Sequence, residues 1–195
     1  MSNVAGEIAV ILLLLVLNGV FAMSEIAIVT SRKLRLEQRA EAGDKGARAA
    51  LELAQEPTQF LSTVQVGITL VGVLAGAFGG ASLAEQLAPS LRGLPAVGDH
   101  AEGVALAIVV GAITYLSLIV GELVPKRIAL GAPERIAAVV ARPMRAVSRV
   151  TAPVVKVLTG STNLMLRLLG VRAHGDPGIT EEEIRALVEQ GAETG

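Results

Sequence analysis

Glu122 follows Gly121, closes a long apolar run and stands three residues before Pro125. A proline has no backbone N–H to donate, and its ring clashes with the carbonyl four residues back, here that of Gly121. The pattern therefore places a carboxylate beside a carbonyl released from its helical bond, and that pair is hard-cation chemistry. The opposing reading puts Glu122 at a membrane boundary, paired with Lys126 one turn on. Ser24 and Glu25 stand near the end of a second apolar run, and Asn18 lies seven residues before Glu25 on the same helical face. Asn18 either extends a polar path or bonds a neighbouring helix. In a third run Ser62, Gln65, Thr69, Gly72, Gly76 and Gly79 recur at steps of three and four, one helical face of polar and small residues. Gly72-x-x-x-Gly76 and Gly76-x-x-x-Gly80 suit close helix packing, while the Ser62–Gln65–Thr69 end is expected to line something polar.

The elements that must hold these groups are membrane spans. The chain has 195 residues, of which 52% are hydrophobic and 18% charged, and its mean hydropathy is +0.59. Soluble domains carry about 25% charged residues. Charge-free runs cover Ile8 to Ser24, Phe60 to Ala84 and Gly103 to Gly121, each able to cover most or all of a ~30 Å hydrocarbon core. No Lys or Arg precedes the first run, so it reads as a retained span rather than a signal peptide. A short loop with Pro89, Pro95 and Gly98 is expected between the second and third spans. A fourth stretch, Val150 to Leu169, contains Pro153, Lys156, Gly160 and Arg167 and is read as a helix lying at the interface.

Orientation follows from Lys and Arg. Residues 31–59 carry Arg32, Lys33, Arg35, Arg39, Lys45 and Arg48, the second loop only Arg92, and the region after the third span many more. Positive residues mark the cytoplasmic side. The expectation is an all-α, multi-pass protein of the cell membrane with three spans, the N-terminus outside and the C-terminus cytoplasmic. Ser24 and Glu25, then Ser62, Gln65 and Thr69, then Gly121 and Glu122 all fall in the inner half of the membrane. A shared pocket of oxygen ligands follows. Such a set favours Mg²⁺, Ca²⁺, Mn²⁺ or Na⁺ over zinc or copper.

Other classes are disfavoured. With no cysteine, thiolate metal sites and cysteine catalysis are excluded, and both histidines lie outside the apolar runs. No nucleophile–base pair suggests an intramembrane enzyme. A net charge of −1 offers no general field for nucleic acid.

Around the spans, residues 31–59 are Ala-rich and charged and should be largely helical. After Pro133, Arg135, Arg142, Arg145 and Arg149 recur at steps of 7, 3 and 4, which describes an interfacial helix whose arginines meet lipid phosphates or, alternatively, a plain solvated face. Pro143 is a candidate kink. From Gly175 a linker leads to Thr180-Glu-Glu-Glu183, a capping box opening a short acidic helix. The division is thus 1–131 for the spans, 132–174 for an amphipathic juxtamembrane belt and 175–195 for an acidic linker helix. Its apolar stripe suggests docking on a further domain beyond Gly195.

Three motifs resemble the transmembrane domain of the CNNM/CorC family. They are Asn18-Gly-Val-Phe-Ala-Met-Ser-Glu25, Phe60-Leu-Ser-Thr-Val-Gln-Val-Gly-Ile-Thr-Leu-Val-Gly72 and Gly121-Glu-Leu-Val-Pro-Lys126, in order and at the three spans. The resemblance covers essentially the whole chain. It implies Mg²⁺ transport, with export and Na⁺ coupling proposed for the family. It also implies a homodimer, and cytoplasmic CBS-type modules that bind nucleotide. By this analogy Glu122 is the key acid, and Ser24 and the inner part of span two supply ligands. Many members carry Ser where this chain has Ala22, and Asn near Ile68. The competing function is a cation-sensing membrane scaffold that does not transport.

Overall fold

The computed structural model describes residues 4–94 and 97–170, and these are almost entirely helical. In chain order they form α1 (Val4–Thr30), α2 (Lys33–Glu41), α3 (Lys45–Gln55), α4 (Pro57–Arg92), a 3₁₀ turn (Gly98–His100), α5 (Ala101–Leu118), a π turn (Ile119–Leu123), α6 (Val124–Gly131) and α7 (Pro133–Leu168). Residues 171–195, with the expected linker and acidic helix, lie outside the described residues.

Three helical segments are long and apolar enough to cross a membrane: Val4–Thr30, Pro57–Arg92 and Gly98–Gly131. In the most apolar window of α1 only 28% of residues are buried. Leu12, Leu13, Val16 and Leu17 face outward. A helix hydrophobic all round and half-uncovered requires lipid, not water, as its solvent.

Within the unit spanning residues 1–155, α4 packs on both α1 and α5. The close approaches use glycine. A Cβ on Gly67 would sit 2.7 Å from the Phe21 ring, and one on Gly79 would sit 2.6 Å from Ile11 and 2.7 Å from Ile113. Gly72 and Gly76, expected to pack, instead have open space around them and are exposed. The reason is geometric. Gly72 and Gly79 are seven residues and only about 20° apart around the helix, so position on the face does not separate them. Ile11 of α1 and Ile113 of α5 close on α4 at the height of Gly79, whereas Gln65, Thr69, Gly72 and Gly76 are left exposed.

The expected loop containing Pro89 is also revised. α4 runs on to Arg92 with Pro89 inside it. Leu83, Ala84, Leu87, Ala88 and Leu91 pack with Ala105 and Val109 of α5, and this stripe holds the last turns helical despite one missing donor.

The basic segment 31–59 is helical, as α2 and α3. Asp44 caps α3, accepting from the backbone amides of Gly46 (2.8 Å) and Ala47 (3.1 Å) and pairing with Arg39 at 2.7 Å. The Ala47 amide and then the Arg39 guanidinium hold its carboxyl below the usual range. Gly46 lies against the Ala138 carbonyl of α7, a contact that leaves no room for a side chain. α7 is unbroken through Pro143 and Pro153. Its buried positions Ala137, Ala138, Val140, Ala141, Met144 and Ser148 form the stripe facing the rest of this unit. The four arginines in the first half of α7 are divided between neighbours: Arg135 lines a cleft with Arg35 and Arg39 of α2, whereas Arg142, Arg145 and Arg149 face α3. Seven residues of helix separate Arg135 from Arg142 by about 10 Å, enough to pass from one short helix to the next.

Candidate functional site

Asn18 and Gly19 of α1 press directly on the π turn of the third span. A Cβ on Gly19 would lie 2.9 Å from the Pro125 ring and 3.0 Å from the Val120 carbonyl oxygen. The Asn18 amide donates from Nδ2 to the Gly121 carbonyl at 3.2 Å, a buried bond between residues far apart in sequence. Proline at 125 removes the donor that an α-helix would aim at this carbonyl, and Asn18 supplies one from the neighbouring helix. Of the two roles open to Asn18, bonding a neighbour is the one observed. Its Oδ1 is buried without a partner, leaving an oxygen acceptor free beside the break.

The π turn also changes which residues share a face. Val124 donates its amide to the Ile119 carbonyl, an i to i−5 bond. The extra residue shifts Glu122 out of register with the preceding helical faces of α5, and such turns occur often at functional sites.

Glu122 and Glu25 converge on one ammonium. Lys126 Nζ lies 2.9 Å from Glu122 Oε1 and 3.6 Å from Glu25 Oε2. The Lys126–Glu122 pair is the i, i+4 contact; the second carboxylate is added by the crossing of α1, which spacing along the chain does not reveal. All three side chains are between 27% and 39% exposed, so the triad is neither sealed nor freely solvated.

Ser24 is fully buried beside Glu25 and donates its hydroxyl to the Val20 carbonyl at 2.6 Å. Its oxygen keeps acceptor capacity. Ser62, Gln65 and Thr69 are on the other side of the account: Gln65 and Thr69 are exposed, Ser62 is half-buried, and none makes a side-chain hydrogen bond to the α1–π-turn group. The structure thus brings together Asn18 with Gly121 and Glu25 with Glu122, and leaves the α4 trio on an outward face. Among the described residues no cluster of three or more His, Asp or Glu side chains forms a metal cage, so a cation held here would rely on neutral oxygens and water besides these carboxylates.

Three polar features escaped the sequence reading. Thr114 and Ser117 of α5 line a small cleft of about 180 Å³ with Gly72 and Gly76. Hydroxyls hardly alter hydropathy, so nothing marked them. Thr63, rather than Ser62, is the buried hydroxyl of its turn, donating to Gln59 O at 2.9 Å and lying within hydrogen-bond distance, 3.3 Å, of the Ser148 hydroxyl of α7. Glu7 accepts from Ser82 (2.8 Å) and Gln86 (3.2 Å), about 27 Å along α1 from Glu25. It stands one residue before the charge-free run and so fell outside the span.

The family profile described as the cyclin M transmembrane N-terminal domain, CNNM, matches residues 9–195. The chain belongs to the CNNM transmembrane-domain family. This CNNM domain is 53% identical over its full length to the UPF0053 protein sll0260 of Synechocystis, covering 43% of that protein. It is 33% identical to the UPF0053 protein YhdT of Bacillus subtilis over 93% of the chain and 40% of the relative. It is 31% identical to the polyamine export protein of Escherichia coli K12 over 97% of the chain and 42% of the relative. The chain thus spans about two-fifths of the length of these relatives. Membership and the three apolar helical segments make it a multi-pass membrane protein of a transporter-like family.

Proposed function

We propose that this CNNM domain is the membrane part of a cation exporter whose cargo is Mg²⁺, drawn from the cytoplasmic side into a pocket at Glu122. The observation that carries this reading is the broken third span, where the Gly121 carbonyl is bonded from α1 by Asn18, whose Oδ1 is buried and unpartnered, and is followed in the chain by the carboxylate of Glu122. Irregular backbone at membrane depth is tolerated where it lines a cavity, and ionisable groups there mark ion pathways. Glu122 and Glu25 supply charge; Asn18 Oδ1 and Ser24 Oγ supply neutral oxygens. Mg²⁺ takes six oxygens and gives up water reluctantly, so part of its shell stays aqueous. The outward face of Ser62, Gln65, Thr69, Gly72 and Gly76 is the surface on which a second copy would pack, and a homodimer closed there would bring the α4 trio to the ion path. Na⁺ coupling and nucleotide-binding modules beyond residue 195 belong to this proposal through the family resemblance.

A second cargo is favoured by one contact. The Lys126 ammonium already sits between Glu25 and Glu122, and a polyamine ends in the same primary ammonium. Relatives named polyamine export protein give this reading its further support.

Flux into proteoliposomes separates these readings. Mg²⁺ movement that is lost in Glu122→Ala and altered by a Na⁺ gradient supports the exporter. Spermidine movement without Mg²⁺ movement supports the second cargo. Mg²⁺ binding without any flux in the full-length protein supports a sensing scaffold, and unimpaired flux in Glu122→Ala refutes the assigned role.

A further inference from the structure

We propose that the cleft between α3 and α7 is a binding site for the phosphate of an anionic phospholipid. It has a volume of about 360 Å³ and is lined by Lys45, Arg48 and Glu52 of α3 and by Arg142, Arg145 and Arg149 of α7. Five cations face one carboxylate. Glu52 is taken by Arg145 at 2.7 Å, and among the described residues Lys45, Arg48, Arg142 and Arg149 have no carboxylate partner. Like charges gathered this closely repel unless an anion joins them, and guanidinium groups match phosphate oxygens in bidentate pairs.

The two walls are held in fixed register. The Gly46 backbone lies against the Ala138 carbonyl, so α3 and α7 meet without an intervening side chain. The α3 amides are not the attraction, because Asp44 already accepts from Gly46 and Ala47. The anion-binding capacity resides in side chains from two helices.

Depth selects a lipid over a soluble phosphate. Ser148, between Arg145 and Arg149, bonds Thr63 of α4. Thr63 is three residues into the charge-free run that begins at Phe60, about 4.5 Å along the helix. The arginines are thereby held at the boundary where a leaflet carries its phosphates, and the next turn of α7 exposes Val150 (77%) and Val154 (50%), apolar surface suited to acyl chains.

The test is thermal unfolding of the detergent-solubilised chain with dioctanoyl phosphatidylglycerol, dioctanoyl phosphatidylcholine or inorganic phosphate. Phosphatidylglycerol should stabilise the protein, and the other two should have no comparable effect. Removing two cations in Lys45→Gln/Arg48→Gln should weaken phosphatidylglycerol binding about thirtyfold, from the usual contribution of each basic residue near an anionic surface. Arg135→Gln, in the other cleft, should bind like wild type. If the α3 pair melts abnormally without lipid, Arg142→Gln/Arg149→Gln makes the same test from the other wall. Equal stabilisation by phosphatidylcholine, equal stabilisation by inorganic phosphate, or undiminished binding in both double variants would overturn the proposal. So would a peptide of residues 178–195 that stabilises where phosphatidylglycerol does not, since the cleft would then hold an acidic segment.

Discussion

Replacing Lys126 with Met removes the cation on which Glu25 and Glu122 converge. At an effective dielectric of about 20, the contacts at 2.9 and 3.6 Å are each worth roughly 5 kcal/mol of Coulomb attraction. Desolvation, side-chain entropy and screening cancel most of this, because all three groups are about one-third exposed. The net loss should be about 1–3 kcal/mol. Two carboxylates are then left without their counter-ion, and a divalent cation entering the pocket no longer displaces an ammonium. The expected result is a domain less stable than wild type in chelator and largely restored by millimolar Mg²⁺. Mg²⁺ affinity should rise about tenfold, equivalent to ~1.4 kcal/mol. Thermal unfolding across a MgCl₂ titration measures both effects, with Lys126→Arg as the charge-retaining comparison. Mg²⁺ affinity that is unchanged or weaker in Lys126→Met would refute the reasoning, because the ammonium would then not be competing with the cation for the two carboxylates.

Further perturbations test the scaffold. Asn18→Leu leaves the Gly121 carbonyl without its inter-helix donor and should cost about 1–3 kcal/mol in unfolding free energy. Gly19→Ala forces a methyl against Pro125 and the Val120 carbonyl and should destabilise by roughly 1–3 kcal/mol, read by the same unfolding assay. Gly72→Leu and Gly76→Leu meet open space in the protomer; they should leave its melting unchanged while weakening self-association measured by sedimentation in detergent. Asp44 has a folded-state pKa below the usual 3.8, so its contribution is complete above about pH 5 and is lost as pH falls through 3.8 towards the folded value. Asp44→Asn should remove that part of the acid-side slope in a pH series of melting temperatures.

The three spans were readable from the sequence because lipid imposes a single requirement, about twenty uncharged residues in a self-satisfied helix, and that requirement acts on each segment alone. The helical character of residues 31–59 was equally local, whereas α7 runs unbroken through Pro143, where a kink was expected. The polar end of each span was readable too, since Glu122, Glu25 and Asn18 interrupt apolar runs. Where the reading fell short, the missing information was relational. Gly72 and Gly79 of α4 lie within about 20° of one another around the helix, so only its tertiary neighbours decide that Gly67 and Gly79 pack while Gly72 and Gly76 remain open. Proline chemistry at 125 foretold a carbonyl without its usual donor, yet the crossing of α1 decided that Asn18 would fill that place. The same crossing turned the local Glu122–Lys126 pair into a triad with Glu25. Sequence spacing specifies which groups share a helix face; the angle and register at which helices cross specify which faces meet, and those are set by the summed packing of many small contacts that no single motif records.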